Sequence, residues 1–295
     1  MTGNNAGNQA GSSRSIEEVL VARPASDGAG VKLLRVFGGQ NLERFDPFLM
    51  LDEFGSNEAS DYIGGFPPHP HRGFETVTYM LEGRMEHRDH MENVGLLQAG
   101  DVQWMKAGSG VIHSEMPKQN EGRMRGFQLW VNLPAVEKMT PAQYQDIAAR
   151  QIPEYQVDGI TIKAIAGQLR SAGRELTGYV TGKHTEAAYL DLVFPDHGGT
   201  VQIELPPEHT ALVYAYEGEL QVGPEGTRLA ARHLARLGRG ASIHLQGSPG
   251  ARGLLITGKP IGEPIVHYGP FVMNTEAEIR QAINDYNRGV LTATP

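Results

Sequence analysis

The chain has 295 residues, enough for two domains that each bury a core. Its 26 Lys and Arg against 34 Asp and Glu leave a formal charge of −8, which argues against direct binding of nucleic acid. It has no cysteine, so disulfides, zinc–thiolate sites, iron–sulfur clusters and thiol nucleophiles are excluded, and any metal must sit on His, Asp, Glu or carbonyl oxygen.

The opening MTGNNAGNQAGSS lacks the apolar run of a secretory signal, and no stretch approaches the roughly 18 apolar residues of a spanning helix. The expectation is a cytoplasmic protein without membrane contact. Residues 1–14, rich in Gly, Asn and Ser, are expected to be disordered. Residues 15–135 form a first domain, with β-type segments at Gly30–Val36, Phe74–Leu81, Gly95–Gln98, Val102–Met105 and Gly126–Asn132. Residues 136–160 read as a connection, in which Thr140 and Pro141 cap and open a short helix running to about Ala149. Residues 161–295 form a second domain, with strands at Thr161–Gly167 and in YLDLVF, TVQIEL, ALVYAYEG and GLLITG. That domain ends in a helix near 276–288, capped by Thr275 and expected to bury Ile279, Ile283 and Tyr286. Thr78–Gly83 is similar to Val213–Gly218, each a strand running into Glu-Gly. The simplest architecture is all-β: two tandem antiparallel sandwiches or barrels with a few short helices.

The chemistry concentrates in two short segments. In extended chain, residues i and i+2 share a face, so His69-Pro70-His71 presents two imidazoles and His113-Ser114-Glu115 an imidazole and a carboxylate. If the two strands are neighbours, four ligand-capable groups converge. Three imidazoles and one carboxylate suit iron, nickel, copper, manganese or zinc. With 11 histidines in the chain, one such pair is unremarkable, and spacing by itself leaves a metal site and ordinary structural histidines both open.

The surrounding residues go further. Gly65–Val77 (GFPPHPHRGFETV), Gly100–Pro117 (GDVQWMKAGSGVIHSEMP), Gly126–Pro134 (GFQLWVNLP) and Leu49–Phe54 (LMLDEF) resemble the pirin family, and the resemblance extends over about residues 15–290. It implies two tandem cupin barrels, with His69, His71, His113 and Glu115 as ligands of one divalent transition metal. Iron, as Fe(II), is the metal usually associated with the family. The family includes quercetin 2,3-dioxygenase-like enzymes, which open a flavonol with O2, and metal-dependent regulators that dock a transcription factor or metabolic enzyme. The dioxygenase reading gives a small aromatic substrate, with Glu115 as catalytic base. The alternative is a non-catalytic, iron-dependent redox sensor with a protein partner. Phe66, Trp104, Met105 and Trp130 are candidate pocket walls. His87 and His90 are placed in a solvated loop. The second barrel has no ligand set: Glu204 and Pro206 fall opposite His69 and His71. A chain already holding two barrels is expected to be a monomer.

Overall fold

The computed structural model describes residues 13–293. The chain's first twelve strands are β1 Ile16–Val21, β2 Arg23–Asp27, β3 Val31–Phe37, β4 Phe48–Ser56, β5 Phe66–His71, β6 Phe74–Glu82, β7 Met85–Asp89, β8 Val94–Leu97, β9 Val102–Lys106, β10 Val111–Pro117, β11 Met124–Asn132 and β12 Gln143–Ile147. Every segment expected to be extended is a strand, and the fold is all-β and antiparallel. Among the described residues, no helix is long and apolar enough to cross a membrane.

The compact units interleave along the chain, where the sequence reading had them in tandem. Among the described residues, one unit contains 23–151 and 261–293, and the other 13–22 and 152–260. In the first, a seven-stranded sheet of order β12-β9-β6-β11-β4-β3-β2 is opposed by a four-stranded sheet of order β5-β10-β7-β8. Leu33, Phe54, Met80 and Met124 from the larger sheet meet Met85 and Leu97 from the smaller. Each such buried side chain contributes about 1.5–3 kcal/mol of hydrophobic stabilisation.

The helix expected after Thr140 is instead β12, paired with the free edge of β9 from Gln143↔Lys106 to Ile147↔Val102. An open sheet edge offers backbone partners that outweigh a weak helical propensity. The Thr140 hydroxyl donates to the Glu137 carbonyl, at the end of a short helix α1, Ala135–Lys138, rather than capping a new helix.

The C-terminal helix α2, Glu276–Asn287, has the expected Thr275 cap, with Glu278 completing a reciprocal capping box. It belongs to the unit of the first barrel. Ile279, Ala282 and Leu291 pack with Phe271, Met273 and, from β10, Ile112. Ile283 is partly buried there, whereas Tyr286 is 40% exposed. Leu291, just beyond the helix, is buried in that cluster.

In the other unit, β1 lies alongside His233–Leu237 as the edge of a seven-stranded sheet. Residues 1–12 of the segment expected to be disordered lie outside the described residues. Its last residue, Arg14, is instead buried, with its guanidinium donating to the carbonyls of Gly240, His209 and Pro206. The pair Gly199–Glu204 and Ser242–Gly247 holds the place, in chain order and pairing, of β5 and β10. It contributes Val201, Ile203, Ile243 and Leu245 to an apolar core, so hydrocarbon fills this barrel where the first carries imidazoles.

Candidate metal centre

Strand β5 reads Phe-Pro-Pro-His-Pro-His, and proline cannot donate to a ladder, so the segment belongs at a sheet edge. It is the edge strand of the four-stranded sheet. Its partner β10 sets His113 opposite His69 and Val111 opposite His71, with the register slipping between His113 and Glu115. Across the other side of β10, Glu115 stands opposite His87 of β7.

The structure brings His69, His71 and His113 together, with ligand atoms all within 4.8 Å of one another. The Nε2 atoms of His69 and His71 are 3.0 Å apart. Two nitrogens bound at right angles, each about 2.1 Å from one ion, would be separated by about 3.0 Å. A second group joins His113 and Glu115 to His87. Buried His113 Nε2 and His87 Nε2 have no hydrogen-bond partner among the described residues. A buried nitrogen without a partner costs free energy unless something else uses its lone pair. Burial, reinforced by the neighbouring imidazoles, holds His71 and His113 well below the usual histidine range. Both are therefore neutral at pH 7, the form that binds metal. The donor set fits a first-row divalent ion.

His87 is the residue that sequence reasoning misplaced. It is 1% exposed, its Nδ1 lies 3.3 Å from His113 Nδ1, and its ring stacks on Tyr144. The signal was alternation: in Met85-Glu86-His87 the imidazole shares a face with buried Met85. Burial lowers its pKa, against the opposing pull of Glu115. His90 is exposed, as expected.

Glu115 is 4% exposed, and its Oε1 accepts from Thr78 Oγ1 at 3.1 Å. Beside it opens a cavity of about 620 Å³ lined by His69, His71 and Glu115, with Phe66 and Trp130 also in its walls. Trp104 and Met105 are not among the lining residues. Both lie on β9, beyond β6 from the cavity-lining strands β11, β4 and β3. Trp104 points to the face opposite its neighbour Gln103, and Met105 is buried with Ala107 and Val111.

The pirin family model matches residues 30–131, and that of the pirin C-terminal cupin domain matches residues 189–292. The chain belongs to the pirin family. A Pseudomonas aeruginosa relative named "Putative quercetin 2,3-dioxygenase" is 53% identical over 280 residues, covering 94% of this chain and 98% of that protein. Human pirin is 40% identical over 281 residues, covering 94% of this chain and 93% of its own. A crystal structure of quercetin 2,3-dioxygenase from Acinetobacter baumannii is similar at 35% identity and a TM-score of 0.87, covering 96% of this chain and 99% of that one. The pirin likeness thus spans both barrels and supports the two-cupin architecture.

Proposed function

We propose that this pirin is a metal-dependent dioxygenase of the quercetin 2,3-dioxygenase type, which opens a flavonol-like substrate with O2. The observation that carries the reading is the opening of the three-imidazole cluster and Glu115 onto a large cavity with apolar walls. A structural metal site would be closed, whereas a catalytic one keeps room for a reactant. The names of a relative and of a solved structure support the same chemistry.

In this reading His69, His71, His113 and Glu115 hold one divalent ion, Fe(II) in the family's usual form. The ion would supply Lewis acidity toward a substrate hydroxyl and a redox partner for dioxygen. The chain's own groups do the rest. Glu115 takes the substrate's hydroxyl proton and keeps hold of the oxygen by a hydrogen bond. Thr78 holds Glu115 through Oε1, which fixes the direction from which that proton is taken. Leu49, Met50, Phe54 and Trp130 cover the flat faces of an aromatic substrate and exclude water.

Oxygen uptake by the Fe(II)-loaded protein, with loss of a flavonol's long-wavelength absorbance, tests the proposal. Glu115→Gln should retain much of the metal and lose about a hundredfold or more in turnover. Tight iron binding with no oxygen uptake, and a protein partner retained only by the iron-loaded form, would decide for the regulator reading.

A further inference from the structure

Across the inner face of the large sheet of the first barrel, six polar residues stand side by side on six strands. Arg35 pairs in register with Asp52, Asp52 with Gln128, Gln128 with Thr78, Thr78 with Gln103, and Gln103 with Asp146. Directly opposed residues share a face, and Thr78 meets Glu115 of the opposing sheet, so the row points inward. A polar row inside a barrel is costly to bury unless it has partners or a ligand to serve. Arg35, Asp52 and Gln128 line the cavity that Glu115 also lines.

We propose that Arg35, Asp52 and Gln128 are specificity-determining residues that take the hydroxyl groups of the substrate's far end, selecting polyhydroxylated, uncharged aromatic ligands. The inference rests on the flavonol reading above and adds to it which flavonols are preferred. Three arguments carry it.

The first is length. Adjacent strands are about 4.8 Å apart, so the three steps from Thr78 to Arg35 span about 14 Å. That suits a three-ring molecule with its reacting hydroxyl at Glu115 and its pendant ring at Arg35.

The second is hydrogen-bond capacity. Thr78 Oγ1 lies 2.6 Å from Gln128 Oε1 and 3.1 Å from Glu115 Oε1, but its hydroxyl has one proton. That proton goes to the Glu115 carboxylate, so the Gln128 amide turns to donate to Thr78 and shows the cavity its oxygen. A ligand hydroxyl donates to that oxygen.

The third is charge. Arg35 Nε and Nη2 grip both oxygens of Asp52, at 3.0 and 2.8 Å, and Asp27 lies 3.4 Å from the same Nη2. Two carboxylates against one guanidinium leave this end with excess negative charge. It repels phosphate, sulfate or carboxylate and accepts hydrogen bonds from phenols.

The test uses the metal-loaded chain under nitrogen. Fluorescence quenching is followed with flavonols that carry no, one or two hydroxyls on the pendant ring, and with one that carries a sulfate there. The expected result is about fivefold tighter binding for the first added hydroxyl, the value of one ordinary hydrogen bond, and weaker binding of the sulfated compound than of its parent. Arg35→Met combined with Asp52→Leu removes both partners together and strands no buried charge. It should keep the affinity for the bare flavonol and lose the preference for hydroxyls. If that pair does not fold, Gln128→Leu serves, and should reduce the preference without changing metal content. Equal binding of bare and hydroxylated compounds by the unaltered chain, a preference that survives the substitutions, or tighter binding of the sulfate overturns the proposal and leaves the flavonol reading standing. Binding of none of them overturns both.

Discussion

Arg72 Nη1 lies 2.8 Å from Asp285 Oδ2, across 213 residues of chain. Arg72 directly follows the candidate ligand His71, and it also donates to the carbonyls of Ser109 and Leu291. The guanidinium is 4% exposed and the carboxylate 17%, so the pair is poorly screened. One side chain thus joins the end of β5, which carries the candidate ligands His69 and His71, to the loop before β10 and to the C-terminal helix.

Removing one partner strands the other. Asp285→Ala should destabilise the chain by about 3 kcal/mol, as breaking a buried pair does, read from the urea midpoint. The Arg72 hydrogen bond holds the Asp285 carboxyl below its ordinary pKa, with a smaller contribution from Gln281. Its contribution to stability is therefore present above the unfolded carboxyl's pKa and lost as the pH falls through the folded one. Asp285→Asn should flatten part of the acid limb of a stability–pH curve. An acid limb unchanged by that substitution would refute the coupling.

Lys138 predicts an effect at the opposite end of the pH scale. Its Nζ is buried and donates to the Gly73 carbonyl, Asn132 Oδ1 and the Val272 carbonyl, and burial brings its pKa down to about 8. An unfolded lysine titrates near pH 10.4, approximately. Between these values the unfolded state binds more protons than the folded one, so this group makes stability rise with pH. Lys138→Met should remove that rise, compared with the unaltered chain in guanidinium melts from pH 7.5 to 10.

Arg14 gives a prediction for the unit of the second barrel. Its three carbonyl acceptors, at 2.9, 2.8 and 2.6 Å, would lose their donor in Arg14→Ala. A cost of about 3 kcal/mol is expected, seen as a lower melting temperature. Metal content should not change, because the candidate ligands belong to the other unit.

Thr78→Val tests how Glu115 is held. The substitution keeps the shape and removes the hydroxyl 3.1 Å from Oε1. Turnover of the Fe(II)-loaded chain should fall by about tenfold, the worth of one hydrogen bond to a charged group, with metal content unchanged on elemental analysis. Full turnover in this variant would show that the carboxylate needs no such anchor.

Much of this was legible in the sequence because alternation is a local property. The i,i+2 pairs at His69/His71 and His113/Glu115 needed only an extended chain to share a face. The Thr275 cap was legible because the capping box lies within four residues. What escaped depended on distant partners. Gln143–Ile147 became a strand because β9 had a free edge, which no local pattern records. His87 read as loop because its neighbours are charged, whereas its place opposite Glu115 is fixed by β10. Trp104 and Met105 sit near the ligands in sequence, but sheet order puts β6 between their strand and the cavity-lining strands. Arg14 looked like part of a polar tail, and its acceptors lie about 190 to 230 residues away.

The interleaving of the two units has a bearing on synthesis. A ribosome that has made residues 23–151 has made all four candidate ligands, yet Asp285 and Leu291, which fix Arg72, and Val272, which accepts from Lys138, do not yet exist. Residues 152–260, all of the second barrel's unit except its N-terminal edge, are translated in between. Nascent chains halted at about residue 260 should therefore hold metal more loosely and exchange it faster than the finished protein. Any loading of the candidate centre would then be a late event, tied to synthesis of residues 261–293.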